Sequence, residues 1–564
     1  MRLSLRTLIG LLALLLTATA CRELAETREP FVSATIAPIT LTPEPTPTPA
    51  PAQTPTATPS DLWIEPADVR IHPDGGLYSG DLVSFEITAH NGTAQDASQA
   101  TVAVDWGNSG ATGEIPYLPA GGSGSTTMTW VWNTAGLVGE RTITLTLDPE
   151  GKLDDPDRAN NVVGVTVDLG AKLPDNEASA VWRTSTSACC IYHFISGTAA
   201  ARDIDQVMKT ADEAIGFVEE RLGVERTRKM DIYLLDRVLG HGGFAGEHVA
   251  ITYIDRDYAG GGLLEVFRHE GAHMLDRQIA KGERPALLVE GFAVYVTGGH
   301  FKLEPLAERA AALTQIGAYI PLRELANEFY PRQHETGYLE GSAFIDYLVR
   351  RNGYQTFIDL YDDIARKPGE LDADMIDRQM EAMYGVGLDE MEAEWLNYLR
   401  TIDPSSEVRD LRNTIAFYDT VRRYQKALDP SAYFLQAWIP DVEEAESRGI
   451  VSDFMRHPRA ADNIALESML VAADKAFGAR DFDRVETLLA SVNVVLDAGV
   501  TFADPLAAHY LAVVESALAF GYEPQRIDLD GDRAAVIATR GGDATQIRLS
   551  ASLQNGVWLL GSNQ

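Results

Sequence analysis

The chain has 564 residues, 45% of them hydrophobic and 23% charged, which is too long for one core and too apolar for global disorder. Its 47 Lys and Arg against 82 Asp and Glu give a formal charge of −35, a balance that argues against nucleic acid as a partner, because phosphate binding relies on basic surface. Three cysteines supply no disulfide framework, so stability has to come from buried cores.

In chain order, residues 1–21 carry Arg2 and Arg6, the apolar run Leu8 to Leu16, and then Thr17-Ala18-Thr19-Ala20-Cys21, the make-up of a secretory signal peptide ending in small residues. No later apolar stretch is long enough to span a bilayer. Residues 22–60 form a linker rich in Pro and Thr, including Thr42-Pro43-Glu44-Pro45-Thr46-Pro47. Proline at that density favours extended, unpaired backbone, so some 25 residues would reach roughly 80 Å.

From 61 to 170 the hydrophobic period becomes two: Val83, Phe85, Ile87; Val102, Val104, Trp106; Met128, Trp130, Trp132; Ile143, Leu145, Leu147; Val163, Val165, Val167. Short alternating strands between Gly, Asn and Asp turns predict an all-β sandwich. Asp155, Asp157 and Asn160 cluster in one turn and could bind calcium, though solvated turn polars are the simpler reading.

Residues 175–402 read as α+β. Cys189 and Cys190 are expected as two core thiols on a strand, with a vicinal disulfide as the alternative. Ile191 to Ile195 is that strand, Ile204, Val207, Ala211, Ile215, Val218 and Leu222 mark a helix stopped by Gly223, and Met230 to Leu235 is the next strand. Gly242 to Tyr253 reads as a glycine loop entering a strand. Residues 403–522 read as mostly helical, with a hairpin around Ala479-Arg480-Asp481-Phe482, and 523–564 as a small antiparallel β segment. There Asp528-Leu529-Asp530-Gly531-Asp532 suits a hairpin turn better than an EF-hand loop, which would need Gly and Glu where Arg533 and Thr539 stand.

The chemistry is concentrated in His269-Glu270-Gly271-Ala272-His273 and in Leu288-Val289-Glu290-Gly291-Phe292-Ala293. On a helix, positions four apart project from one face, so the imidazoles of His269 and His273 can meet one tetrahedral zinc ion. Glu270 between them points toward a bound water as its base and is not a ligand. Apolar residues at helical spacing surround the motif, and a second helix is bounded by Pro285 and Gly298-Gly299. Glu290 lies inside that apolar run, where a carboxylate is expensive to bury unless paired or metal-bound, which marks it as the third ligand. His241, His248 and His300 read as polar loop residues rather than a fourth ligand, because a catalytic site keeps that position open.

These two segments resemble the gluzincin peptidases, and more closely the bacterial peptidase MA-like family, over roughly residues 180 to 400. Thr336 to Phe344 resembles that family's next helix and Gly387 to Leu396 its closing helix. The resemblance implies a mixed sheet followed by a helical half with zinc between them, with His269, His273 and Glu290 as ligands, Glu270 as general base and acid, and Tyr338 as a donor to the oxyanion. It also implies that the edge strand near Gly243 to Gly246 pairs with the substrate backbone. One departure is Val294, where some gluzincins carry an Asp that orients the first His. Asp276 is a candidate replacement, but an exposed helix charge is the expected reading. Residues 1–21 resemble a bacterial lipoprotein signal, with Ala18 where that pattern more often has Leu, which implies lipid on Cys21. Asp148-Pro149-Glu150 and Asp157 to Val162 resemble the closing strands of CARDB-type adhesion modules.

The leading expectation is therefore a lipid-anchored zinc peptidase on the outer face of a bacterial membrane, cell surface or periplasm, acting on peptide or protein substrates, with the sandwich free to meet a surface or envelope partner. Two other classes compete: an envelope adhesion or binding lipoprotein whose peptidase domain is vestigial, and a structural lipoprotein in which zinc only braces the fold.

Overall fold

The computed structural model of the chain describes residues 61–562 apart from 74–75, 108, 122–123, 175–176, 333, 368, 434–441 and 542. The expected signal peptide, Cys21 and the Pro/Thr linker lie outside the described residues. Among the described residues no helix is long and apolar enough to cross a membrane.

The first region is the expected sandwich. Its strands are β1 (Leu62–Trp63), β2 (Val69–His72), β3 (Leu77–Tyr78), β4 (Leu82–Asn91), β5 (Ala97–Asp105), β6 (Gly110–Leu118), β7 (Gly124–Asn133), β8 (Gly139–Leu147) and β9 (Val162–Gly170). One sheet is built on β4, with β1, β2 and β7 antiparallel to it; the other runs β3-β9-β8-β5-β6. The period-two residues do face inward: Val83, Phe85, Ile87, Val102, Ile143 and Leu145 are fully buried between the sheets. Asp157 is exposed and caps the single turn Arg158–Asn161 through the amide of Ala159 at 3.0 Å, as a solvated turn residue should.

The second region opens with β10 (Trp182–Thr186), β11 (Cys190–Ile195), α1 (Ala199–Leu222), β12 (Met230–Leu235), β13 (Gly243–Ala245) and β14 (Val249–Thr252). They form a mixed sheet in the order β10-β11-β12-β14-β13, with β11, β12 and β14 parallel and both edges antiparallel. Thr198 caps α1 and Gly223, at φ +70°, ends it, so the helix crosses over between parallel β11 and β12 and lays Val207, Ala211, Ile215 and Val218 on the core. The expectation of two free thiols is corrected here: Cys189 and Cys190 are joined as a vicinal disulfide. Both are buried where the chain enters β11, which holds the two sulfurs side by side away from solvent.

A helical half follows: α2 (Leu263–Asp276), α3 (Ala286–Thr297), α4 (Leu306–Ile316), α5 (Leu322–Asn327), α6 (His334–Asn352), α7 (Tyr354–Asp363), α8 (Asp372–Tyr384) and α9 (Leu388–Leu399). Beyond it come α10 (Val408–Leu428), α11 (Val442–Arg448), α12 (Ala461–Gly478), α13 (Phe482–Asp497), α14 (Pro505–Ala519) and an antiparallel sheet of β15 (Tyr522–Asp530), β16 (Arg533–Arg540), β17 (Asp543–Gln554) and β18 (Val557–Ser562). Asp530 pairs with Arg533, and Gly531 at φ +55° makes the tight turn between β15 and β16. One apolar core joins α10, α12, α13, α14 and the last sheet, and reaches Tyr258 and Ala259 just before α2.

The close approach of α3 and α6 fixes the centre of the helical half. A Cβ built on Gly291 would lie 2.7 Å from the backbone carbon of Gly341, and one on Gly341 would lie 3.0 Å from the carbonyl oxygen of Leu287. The two glycines let the backbones touch, and no flexible side chain stands between them to give way. Gly291→Ala is therefore expected to destabilise the fold by about 1–3 kcal/mol through overpacking. Thermal unfolding checks this, and an unchanged midpoint would show that the helices can separate freely.

Candidate metal centre

His269 and His273 lie one turn apart on α2, and Glu290 faces them from α3. His269 and Glu290 are buried and His273 is half-buried, and the three form the group of potential metal donors found among the described residues. The Nε2 atoms of the two imidazoles are 3.0 Å apart, and the Glu290 Oε2 lies 3.3 Å from His269 Nε2 and 3.2 Å from His273 Nε2. A tetrahedral ion with bonds of about 2.0–2.1 Å separates its ligand atoms by about 3.3 Å. The donor set, two imidazoles and one carboxylate, suits zinc as well in chemistry as in spacing.

Charge balance within the trio is carried by proximity. Burial opposes the Glu290 carboxylate, but the His273 and His269 imidazoles outweigh it and hold its pKa well below the usual range. Burial also lowers His269, whereas at His273 the neighbouring Glu290 overrides burial and raises the value to about 9. Glu270, between the two histidines on α2, behaves oppositely: burial pushes its pKa up, against the pull of both imidazoles.

Glu270 lines a cleft of about 560 Å³ together with His269, His273, Glu290, Tyr330, Tyr338 and the edge strand β13. The strand comes so close that a Cβ on Gly243 would sit 2.6 Å from Glu270 Oε1 and 3.0 Å from its Cγ. A side chain at Gly243 would therefore have to displace the carboxylate or the strand. Tyr338, near the start of α6, is buried; its ring stacks on His300 at 4.1 Å and meets Phe329 edge-on at 5.1 Å. Burial first, then the charge of Glu290, raises its phenol well above the ordinary value, and its hydroxyl hydrogen-bonds that carboxylate.

Sequence reasoning missed Tyr330, whose hydroxyl donates to Glu290 Oε1 at 2.7 Å. It sits in the connection between α5 and α6, forty positions from its partner, and Glu328-Phe329-Tyr330-Pro331 carries no periodicity that could single it out. Asp276 also departs from expectation. It is buried, accepts a 2.6 Å hydrogen bond from the Tyr361 hydroxyl and faces Arg284 at 3.6 Å, so it is a core residue of the cleft wall and not an exposed helix charge. The first imidazole finds no carboxylate in the place of Val294: His269 Nδ1 is buried without a hydrogen-bond partner, and the ring is held by His300 at 5.5 Å and Tyr338 at 5.9 Å. His241 and His300, read in the sequence as polar loop residues, are both buried; His300 Nδ1 is bound to Glu335 at 3.0 Å, and His248 pairs with Glu443 at 3.3 Å.

Residues 60–165 match the model of the CARDB family. A comparison with curated proteins returns no match. Among solved structures, the chain is similar to the CARDB domain of a Pyrococcus furiosus protein, at 19% identity over 20% of this chain and 96% of that one with a TM-score of 0.17. It is similar to an M1 zinc metallopeptidase from Deinococcus radiodurans at 12% identity, over 60% of this chain and 94% of that one, with a TM-score of 0.29. A metallopeptidase from Bacteroides thetaiotaomicron is similar at 9% identity, over 86% of this chain and 84% of that one, with a TM-score of 0.22.

Proposed function

We propose that this chain is a zinc peptidase that hydrolyses peptide bonds of peptide or protein substrates, tethered outside a bacterial membrane by lipid on Cys21. The observation that carries the reading is the convergence of His269 Nε2, His273 Nε2 and Glu290 Oε2 within 3.0–3.3 Å of one another on the wall of an open cleft. Zinc held by these residues supplies Lewis acidity, polarising a carbonyl and making water acidic enough to attack near neutral pH.

The protein groups do the rest. Glu270 takes the proton of the attacking water and returns it to the departing amine. Tyr338, whose ring is stacked on His300, transfers its hydroxyl hydrogen bond from Glu290 to the oxyanion that develops on the carbonyl. Tyr330 holds Glu290 from the open side of the cleft. The substrate backbone adds to β13, an edge strand that among the described residues pairs with β14. The CARDB-like sandwich meets a surface or envelope partner.

Purified protein is expected to carry close to one zinc per chain by elemental analysis. His273→Ala should lose the metal and some stability, because the ligands join two helices. Protein that stays metal-free after incubation with zinc would remove the proposal.

Glu270→Gln keeps the shape of the side chain but cannot accept a proton, so it should bind zinc and fold while losing peptide hydrolysis by at least about 10²- to 10⁴-fold. Tyr338→Phe should cost less, about 10²-fold, as the loss of one oxyanion donor. Both are read on a peptide library, with metal content measured alongside. No hydrolysis even by the wild type would favour the vestigial adhesion reading, and equal rates in wild type and Glu270→Gln would mean that the base is misassigned.

Gly243→Ala tests the support of the base. The added methyl has to displace Glu270 or β13, so kcat should fall with zinc content unchanged, and a kcat equal to wild type would show that strand and carboxylate are not coupled.

A further inference from the structure

We propose that the sandwich holds a calcium ion between its first strand and the turn before its last, at Asp61, Asp155, Asn160 and Asn161. These residues are tied into one cluster. Asn160 Nδ2 donates to Asp61 Oδ2 at 3.3 Å, Asn161 Nδ2 donates to Asp155 Oδ2 at 2.5 Å, and the amide of Leu62 reaches Asp155 Oδ1 at 3.4 Å. Backbone pairing of the Ile64 amide with the Asn160 carbonyl at 3.2 Å holds the two segments together.

Each amide directs one N–H to a carboxylate, and three oxygens are left over. Asp61 Oδ1, Asn160 Oδ1 and Asn161 Oδ1 are all enclosed away from water with no hydrogen-bond donor. Asp61 and Asn161 are only 6% and 2% exposed. Such oxygens can only accept, and leaving several of them buried and unpaired is costly. No Lys, Arg or His among the described residues pairs with Asp61 or Asp155, so two carboxylates share the cluster without a counter-charge. A bound cation answers both deficits at once.

The donor chemistry selects the ion. Carboxylate and amide oxygens, with neither nitrogen nor sulfur in the set, suit a hard cation. Calcium accepts irregular cages of carboxylate and Asn oxygens completed by water, whereas magnesium demands a near-ideal octahedron. Asp157, which the sequence places in the same cluster, contributes differently, by capping the turn that presents Asn160 and Asn161. The ion would pin the chain where it enters the sandwich, at residue 61, to the far end of the domain sequence.

Calcium chloride titrated calorimetrically into calcium-stripped, zinc-loaded full-length protein should reveal one site, with a Kd in the range of about 10⁻⁴–10⁻³ M typical of extracellular modules. Asp61→Asn removes one ligand charge and should weaken binding about tenfold or more, while zinc content and peptide hydrolysis stay unchanged. Asn160→Asp adds a carboxylate and should tighten it, a gain that damage to the fold cannot imitate; this comparison decides the matter alone if Asp61→Asn does not fold. Absence of a calcium heat, or one Kd shared by wild type and both variants, would overturn the site.

Discussion

Three donor atoms from two helices have to be kept about 3 Å apart inside the protein, and much of the second region serves that requirement. Two imidazole nitrogens and a carboxylate oxygen crowd together on a largely apolar wall, where neither nitrogen lone pairs nor a buried charge are tolerated without a partner. The spacing of His269 and His273 comes free with helical geometry. The position of Glu290 does not, because it depends on how far α3 stands from α2. On its far side α3 is in backbone contact with α6 through Gly291 and Gly341, the residues that directly follow Glu290 on α3 and Glu340 on α6. A side chain at either place would push α3 and α6 apart and so disturb the helix that carries Glu290.

Regions that read as separate in sequence are fastened to this core by buried charges. Arg309 on α4 is fully buried and meets Asp410 of α10 at 2.5 Å and Glu304 at 2.8 Å. Arg256, just before α2, meets Glu467 of α12 at 2.5 Å and the Pro524 carbonyl at 2.7 Å. Arg456 reaches across to Asp81 of the sandwich at 2.8 Å and to Glu177, while Asp453 accepts from Ser84 at 2.7 Å. Pairs of this kind add little net stability over an apolar contact, but losing one partner strands a buried charge, so they fix one arrangement of the segments against others. The helical region and the last sheet thereby act on the loop that leads into α2.

The sequence made five strands of the sandwich legible because they alternate cleanly; the short β1, β2 and β3 escaped, and so did β6, since in Gly110–Leu118 only Ile115 and Leu118 turn inward. The helices of the metal centre were legible for a different reason, as caps and glycine stops bracket them: Gly298 at φ +84° ends α3 where the sequence placed its stop. Contacts between distant segments were not legible. Nothing local marks Tyr330 as a partner of Glu290, Asp276 as a partner of Tyr361, or Arg309 as a partner of Asp410, because each depends on packing that periodicity does not encode. The same holds for Cys189 and Cys190, whose adjacency allows either thiols or a bond, and for the turn polars of the sandwich, where Asp157 faces solvent while Asn161 is enclosed.

Two carboxylates in one cleft, Glu270 and Glu290, are driven in opposite directions by their surroundings. Glu290 is buried, yet two imidazoles within 3.3 Å outweigh burial and keep it ionised, and the Tyr330 hydroxyl occupies its second oxygen. Glu270 is as deeply buried, but the imidazoles act on it less strongly than burial does, so its affinity for a proton rises. A group held ionised and saturated with partners is suited to bind a cation and ill suited to exchange protons. A carboxyl whose proton affinity is raised is suited to take a proton and give it back. The opposite directions accord with the proposed division of labour, ligand for Glu290 and base for Glu270, and in that proposal the proton-carrying group lies against β13, the side from which an added peptide strand would present its carbonyl.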